Sequence, residues 1–166
     1  FVPNLTFGPL ILAAVRRLTP AFLDVHLMVE RPERLVREFR EAAAGQLTVH
    51  LEACENPAAV LELVRASGAK VGLALKPGTP LEAAERFLGG LDLLLVMTVE
   101  PGLGGQAFME PMLDKVRAAR ARRAALGAHY LIAVDGGIDP KTAARAAAAG
   151  ADAFVAGHAI FRQPDP

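Results

Sequence analysis

The sequence predicts an α/β chain of repeated βα units, of the (β/α)8-barrel kind, and three observations carry that prediction. Short apolar runs that fit buried parallel strands recur six times, each followed by a stretch with helical spacing. The runs end near His26, His50, Leu75, Met97, Asp135 and Ala156, at intervals of 24, 25, 22, 38 and 21 residues. Units of that size build parallel sheets through right-handed crossovers. Polar residues stand at several successive strand ends, as a ring of loops around one mouth requires. A doubly wound open sheet is the other arrangement such units allow. A closed barrel needs eight units and six are present, so the missing ones are expected before Phe1. The chain reads as one barrel domain over residues 1–166 that lacks the first two strands and the last helix.

Each element has its own local signal. Pro9 to Leu18 places Leu10, Ile11, Ala14, Val15 and Leu18 at amphipathic helical spacing. Phe22–Met28 reads as a strand, and Pro32 opens a helix to about Ala44 with Leu35, Val36, Phe39 and Ala43 on one side. Leu47–Leu51 is the next strand. Asn56-Pro57 supplies a cap and a first-turn proline for a helix carrying Val60, Leu61 and Val64. Val71–Leu75 is a strand, and Thr79-Pro80 caps a helix to about Leu88. Leu91–Met97 is a strand that runs into Pro101-Gly102-Leu103-Gly104-Gly105-Gln106, before a helix over Glu110–Leu126 with Met112, Leu113, Val116 and Ala119 inward. Leu131–Val134 ends at Asp135, Asp139-Pro140 starts the helix Lys141–Ala149, and Ala153–Ala156 is the last strand, ending at Gly157-His158.

Bulk properties exclude several classes. With 18 basic and 18 acidic side chains the formal charge is zero, so no basic patch argues for nucleic acid or an anionic membrane. The apolar runs are too short to span a bilayer, and no signal peptide opens the chain. Cys54 is alone, which rules out a disulfide framework and makes a reduced, cytoplasmic setting the default. The oligomeric state stays open, a homo-oligomer included. The chain starts at Phe1 rather than Met, and both ends look cut.

The chemistry gathers at strand ends. Asp135 closes an apolar strand, and Gly136-Gly137 then lets bare backbone approach whatever the carboxylate faces; the alternative is an Asp that caps its own turn. His26 inside an apolar strand is either a hydrogen-bonded core histidine or a ligand for Zn, Fe, Mn or Co, with Asp135 as a second donor. His50, at the end of its strand, lines the mouth or positions a neighbour. Met28 and Met97 fill core, or keep the mouth dry if they face it. The turns Gly102-Leu103-Gly104-Gly105, Gly136-Gly137 and Gly157-His158 follow late strands, where exposed N–H groups hold phosphate in barrel enzymes. No Gly-Lys-Ser/Thr follows, so none of them is a Walker loop.

Taken together, Val2-Pro3-Asn4 with Phe7-Gly8-Pro9, Asp24-Val25-His26-Leu27-Met28, Thr48-Val49-His50-Leu51-Glu52-Ala53, Pro101–Phe108, Val134-Asp135-Gly136-Gly137 and Val155–Phe161 resemble the ribulose-phosphate 3-epimerase family, in order over the whole chain. Lys76-Pro77-Gly78-Thr79 and Met97–Gly102 are similar to its animal-type branch. The resemblance implies a (β/α)8 isomerase that interconverts D-ribulose 5-phosphate and D-xylulose 5-phosphate in the pentose phosphate pathway, with a divalent metal held by two His and two Asp. It implies that His26 is a metal ligand that also meets the substrate. It implies that Asp135 is both a ligand and one of two acid/base carboxylates working through an enediolate. It implies that backbone at Gly102–Gly105, Gly136–Gly137 and Gly157–His158 holds the sugar phosphate.

The family's substrate-binding Ser strand and its His-x-Asp strand, with the other ligands and the second acid/base, would precede Phe1. His158 stands where the family usually has Ser. The expectation is therefore an epimerase sequence whose 166 residues are inactive and poorly stable by themselves. The alternatives are a 3-epimerase of another ketose phosphate, such as allulose 6-phosphate, or an inactive phosphate-binding product.

Overall fold

The computed structural model describes residues 7–102 and 104–163, which divide after Leu73 into two compact units. The first unit opens with α1 (Pro9–Leu18), which has proline in its first turn and Arg16 and Arg17 in its last. This charge order suits the helix dipole. None of its residues is buried, and Leu10 and Leu18 are 87% and 86% exposed. Strand β1 (Asp24–Leu27) pairs in parallel with β2 (Gln46–His50), Val25 opposite Leu47 and His26 opposite Thr48. Every residue of β2 is buried, the mark of a parallel strand covered on both faces. Between them the helix expected from Pro32 to Ala44 is broken. Pro32–Arg34 is one 3-10 turn and α2 covers only Val36–Glu41. The Leu35 N–H bonds Pro32 O rather than Arg31 O, and the chain leaves α2 through Ala43 at φ 72. The buried face still holds Val36 and Phe39, but Ala42 and Ala44 replace Ala43 in the core.

A 3-10 turn, Leu51–Ala53, leads to α3 (Pro57–Ala66), where the Asn56 side chain accepts the Ala59 N–H and Val60, Leu61 and Val64 turn inward. Strand β3 (Lys70–Leu75) follows β2 in the order β1-β2-β3. Gly72 is required there, because a Cβ would stand 2.1 Å from Thr48 Oγ1.

The second unit carries β4 (Leu93–Met97), β5 (Leu131–Asp135) and β6 (Ala153–Val155), parallel and adjacent in that order. Its first helix is a correction to the expectation. Leu81–Gly90 winds as a 3-10 helix, with Leu81, Ala84 and Leu88 buried. Helix α4 (Met112–Leu126) buries Leu113, Val116 and Ala119 and stops at Gly127, whose φ of 60 releases the chain. Helix α5 (Pro140–Ala149) starts with a capping box: Asp139 accepts the Thr142 N–H, and Thr142 Oγ1 accepts the Asp139 N–H. A four-residue helix, α6 (His158–Phe161), follows β6. Arg123 binds Asp152 and the Tyr130 carbonyl, while the Asp152 carboxylate accepts the Ile132 N–H, which ties the end of α4 to β5 and β6. No helix among the described residues is long and apolar enough to cross a membrane.

Candidate active site

Strand register decides which side chains meet at each strand end. In β4 and β5, Met97 stands opposite Asp135, and Asp135 stands opposite Val155 of β6. Side chains alternate faces along a strand. Leu93, Leu95, Met97 and Val99 therefore share one face with Ala133 and Asp135, and the apolar members form one buried cluster with Ala153 against it. Asp135 is the polar end of that dry face, half-buried at the last residue of β5. Met97 is core filling, 2% exposed.

The glycines after Asp135 are fixed by close approach. Gly136 has φ 120 and a Cβ there would lie 2.4 Å from Val99 Cγ2. Gly137 has φ 64 and its Cβ would lie 2.6 Å from the Phe108 backbone N. Both torsions are ones that L side chains rarely adopt. Gly105, at φ 79, lies beside the ring of His158, whose Nδ1 is 3.4 Å from a Cβ built on the glycine. The turns of Gly102–Gly105 and Gly157–His158 thus meet in this unit. Leu103 lies outside the described residues. Gly104, Gly157 and His158 are exposed.

Two further side chains hold the backbone of this turn. Thr98, fully buried, donates its hydroxyl to Gly136 O at 2.6 Å and its backbone N–H to Asp135 O at 2.8 Å. Thr142 donates its hydroxyl to Gly137 O at 2.9 Å. A hydroxyl residue directly after an apolar strand was the available signal for Thr98.

In the first unit the structure joins two candidates. His26 Nε2 and His50 Nε2 are 2.8 Å apart, and the rings stack with centroids separated by 4.9 Å at 27°. His50 is fully buried, and its Nδ1 lies 3.3 Å from Glu52 Oε2. The two imidazoles thus share one hydrogen bond, with the Glu52 carboxylate beside the far nitrogen of His50. Met28, just past β1, is half-buried.

His26 imidazole and Asp135 carboxylate are donors of the right chemistry for Zn, Fe, Mn or Co. Among the described residues no group of three or more His, Cys, Asp or Glu side chains could hold an ion. Each is, taken singly, a donor of suitable chemistry, and the described residues do not complete a site.

Cys54 is chemically quiet. Its thiol donates to His50 O at 3.2 Å, and burial first, then the charges of Glu33 and Glu52, push it up to about 12. Only the thiolate is a nucleophile, so alkylation of Cys54 by iodoacetamide at neutral pH is expected to be slow in the folded protein and rapid in urea. Equal rates, followed by mass spectrometry, would contradict this environment.

Parallel strands with a carboxylate and three glycine turns at their C-terminal ends define an α/β enzyme of the TIM-barrel class. Residues 1–161 match the Ribulose-phosphate 3 epimerase family. Relatives named ribulose-phosphate 3-epimerase include those of Mycobacterium tuberculosis (strain ATCC 25618 / H37Rv), 46% identical over all of this chain and 72% of its own length, and Bacillus subtilis (strain 168), 44% identical over 99% of this chain and 76% of its own. That of Escherichia coli (strain K12) is 45% identical over 99% of this chain and 74% of its own length. The chain belongs to the ribulose-phosphate 3-epimerase family. More distant solved structures share the fold. A 3-hexulose-6-phosphate synthase has a TM-score of 0.69 at 20% identity, covering 95% of this chain and 75% of that one. KGPDC from Streptococcus mutans has a TM-score of 0.72 at 15% identity, covering 94% of this chain and 72% of that one.

Proposed function

We propose that the protein epimerises C3 of ribulose 5-phosphate to give xylulose 5-phosphate, with Asp135 as one acid/base group and the three glycine turns as the phosphate cradle. The family supports the reaction. The observation that carries the residue assignment is the placement of Asp135 at the rim of an apolar strand face, directly before two glycines of positive φ. Inverting C3 needs a proton removed from one face of the sugar and returned to the other. A carboxylate held at a strand end removes or returns it on one side. The opposite side needs a second acid/base, which the family resemblance assigns to a His-x-Asp strand. Removal of the proton leaves an enediolate, whose negative oxygens need stabilisation. Backbone N–H groups of the glycine turns hold the phosphate, and this fixes the sugar far from the reacting carbon. His26 and Asp135 are proposed donors to a divalent ion, which would supply positive charge beside the developing oxyanion.

The test is an epimerisation assay on the full-length protein, with allulose 6-phosphate run alongside. Turnover of ribulose 5-phosphate that falls on chelation and returns with Zn, Mn, Fe or Co is expected. Preference for allulose 6-phosphate would move the assignment to that substrate. Metal-independent turnover would remove the ion from the proposal. The stretch 1–166 expressed by itself is expected to show no turnover and a broad unfolding transition. Apolar side chains such as Leu10, Leu18, Phe22, Val155 and Phe161 stand in water there, and the acid/base pair has one member among the described residues. Cooperative unfolding together with turnover would overturn that expectation.

A further inference from the structure

Within the turn after β5, three successive carbonyls are each held by a donor. Asp135 O accepts the Thr98 N–H, Gly136 O accepts the Thr98 hydroxyl, and Gly137 O accepts the Thr142 hydroxyl. Thr98 and Thr142 are both buried, so these bonds are made away from competing water. The peptide group is planar, and in its trans form the C=O and N–H point in opposite directions. Holding a carbonyl therefore aims the N–H of the following residue. The bonds to Asp135 O, Gly136 O and Gly137 O thus set the N–H groups of Gly136, Gly137 and Ile138. The middle plane is the informative one. It lies between two residues at φ 120 and φ 64, where the backbone of a glycine pair is otherwise loosely determined. Its direction rests on one side chain, the Thr98 hydroxyl. Thr98 also anchors the far side of the glycine-rich loop, because its carbonyl accepts the Met109 N–H at 2.9 Å.

We infer that Thr98 is a positioning residue for substrate phosphate: its hydroxyl pins the Gly136–Gly137 peptide so that the Gly137 N–H is held ready to donate to an anion. Thr98 itself touches no substrate. This inference rests on the phosphate reading of the glycine turns proposed above.

The variants that separate hydroxyl from shape are Thr98→Val, which keeps the branched outline, and Thr98→Ser, which keeps the donor. In the full-length protein, Thr98→Val is expected to raise KM for ribulose 5-phosphate by about 3- to 10-fold, the scale of one hydrogen bond, with kcat within about twofold. Thr98→Ser is expected to restore KM. A loss that falls on kcat with KM unchanged, or a KM defect that Ser does not relieve, would overturn the role. The second measurement needs no variant. Inorganic phosphate is titrated into the 15N-labelled protein while the Gly137 amide is followed. A downfield shift of the Gly137 N–H is expected. Shifts at Gly105 and Gly157 with none at Gly137 would overturn this inference alone. Shifts at none of the three turns would overturn the phosphate reading and this inference with it. If Thr98→Val does not fold, the Gly137 titration and the Ser variant decide the matter.

Discussion

Asp135→Asn is expected to lower epimerisation by the full-length protein by on the order of 10² to 10⁴ while leaving the fold in place. Asn matches Asp in size and cannot exchange a proton at neutral pH. Backbone bonding and apolar packing hold the strand end. Asp135 O accepts the Thr98 N–H, the residue stands in register with Met97 and Val155, and the cluster beneath it is wholly apolar. The chemical loss should therefore appear with little loss of stability. Turnover and solvent-proton exchange at C3 would be measured together, beside the urea midpoint. Near-normal turnover refutes the acid/base assignment. A large fall in the midpoint would show that the carboxylate is holding the strand rather than doing chemistry.

The second large effect is expected from filling the space beside Gly136. Gly136→Val puts a Cβ 2.4 Å from Val99 Cγ2 and 2.9 Å from its Cβ, at a φ of 120 that a branched residue does not tolerate. Left-handed strain of about 1–2 kcal/mol and overpacking of about 1–3 kcal/mol act together. The expected loss is about 2–5 kcal/mol of stability, together with weaker sugar-phosphate binding. Gly137 is less forgiving in kind, because the atoms its Cβ would meet are backbone, Phe108 N at 2.6 Å and Cα at 2.8 Å. Equilibrium unfolding and a phosphate titration check both effects. A Gly136→Val protein with the parent midpoint and the parent affinity would mean that this turn is neither crowded nor part of the anion site.

These two positions were visible in the sequence, and their surroundings were not. An apolar run that ends in Asp-Gly-Gly marks a strand end because strand burial and glycine backbone freedom are local properties. The six βα repeats were visible for the same reason, and the six strands among the described residues fall within three residues of the expected ends. The helix type at Leu81–Gly90 was not. Its buried residues, Leu81, Ala84 and Leu88, are spaced by 3 and 4, which suits either an α or a 3-10 winding. The break at Leu35 leaves no mark in the sequence pattern, because the apolar face continues across it.

What the sequence by itself determined is the order of elements, the positions of the strand ends, and the family, since motifs over the whole chain agree with one another. Only the tertiary structure decided which of those groups touch. His26 meets His50 through paired nitrogens, Thr98 reaches the carbonyl of Gly136, and the ring of His158 lies beside Gly105. These partners lie 24, 38 and 53 residues apart in sequence. Their meeting depends on strand register or on where loops return. A shift of one residue in register would turn each strand side chain to the opposite face. Register is set by the summed packing of strands and helices, and no short stretch of sequence states it.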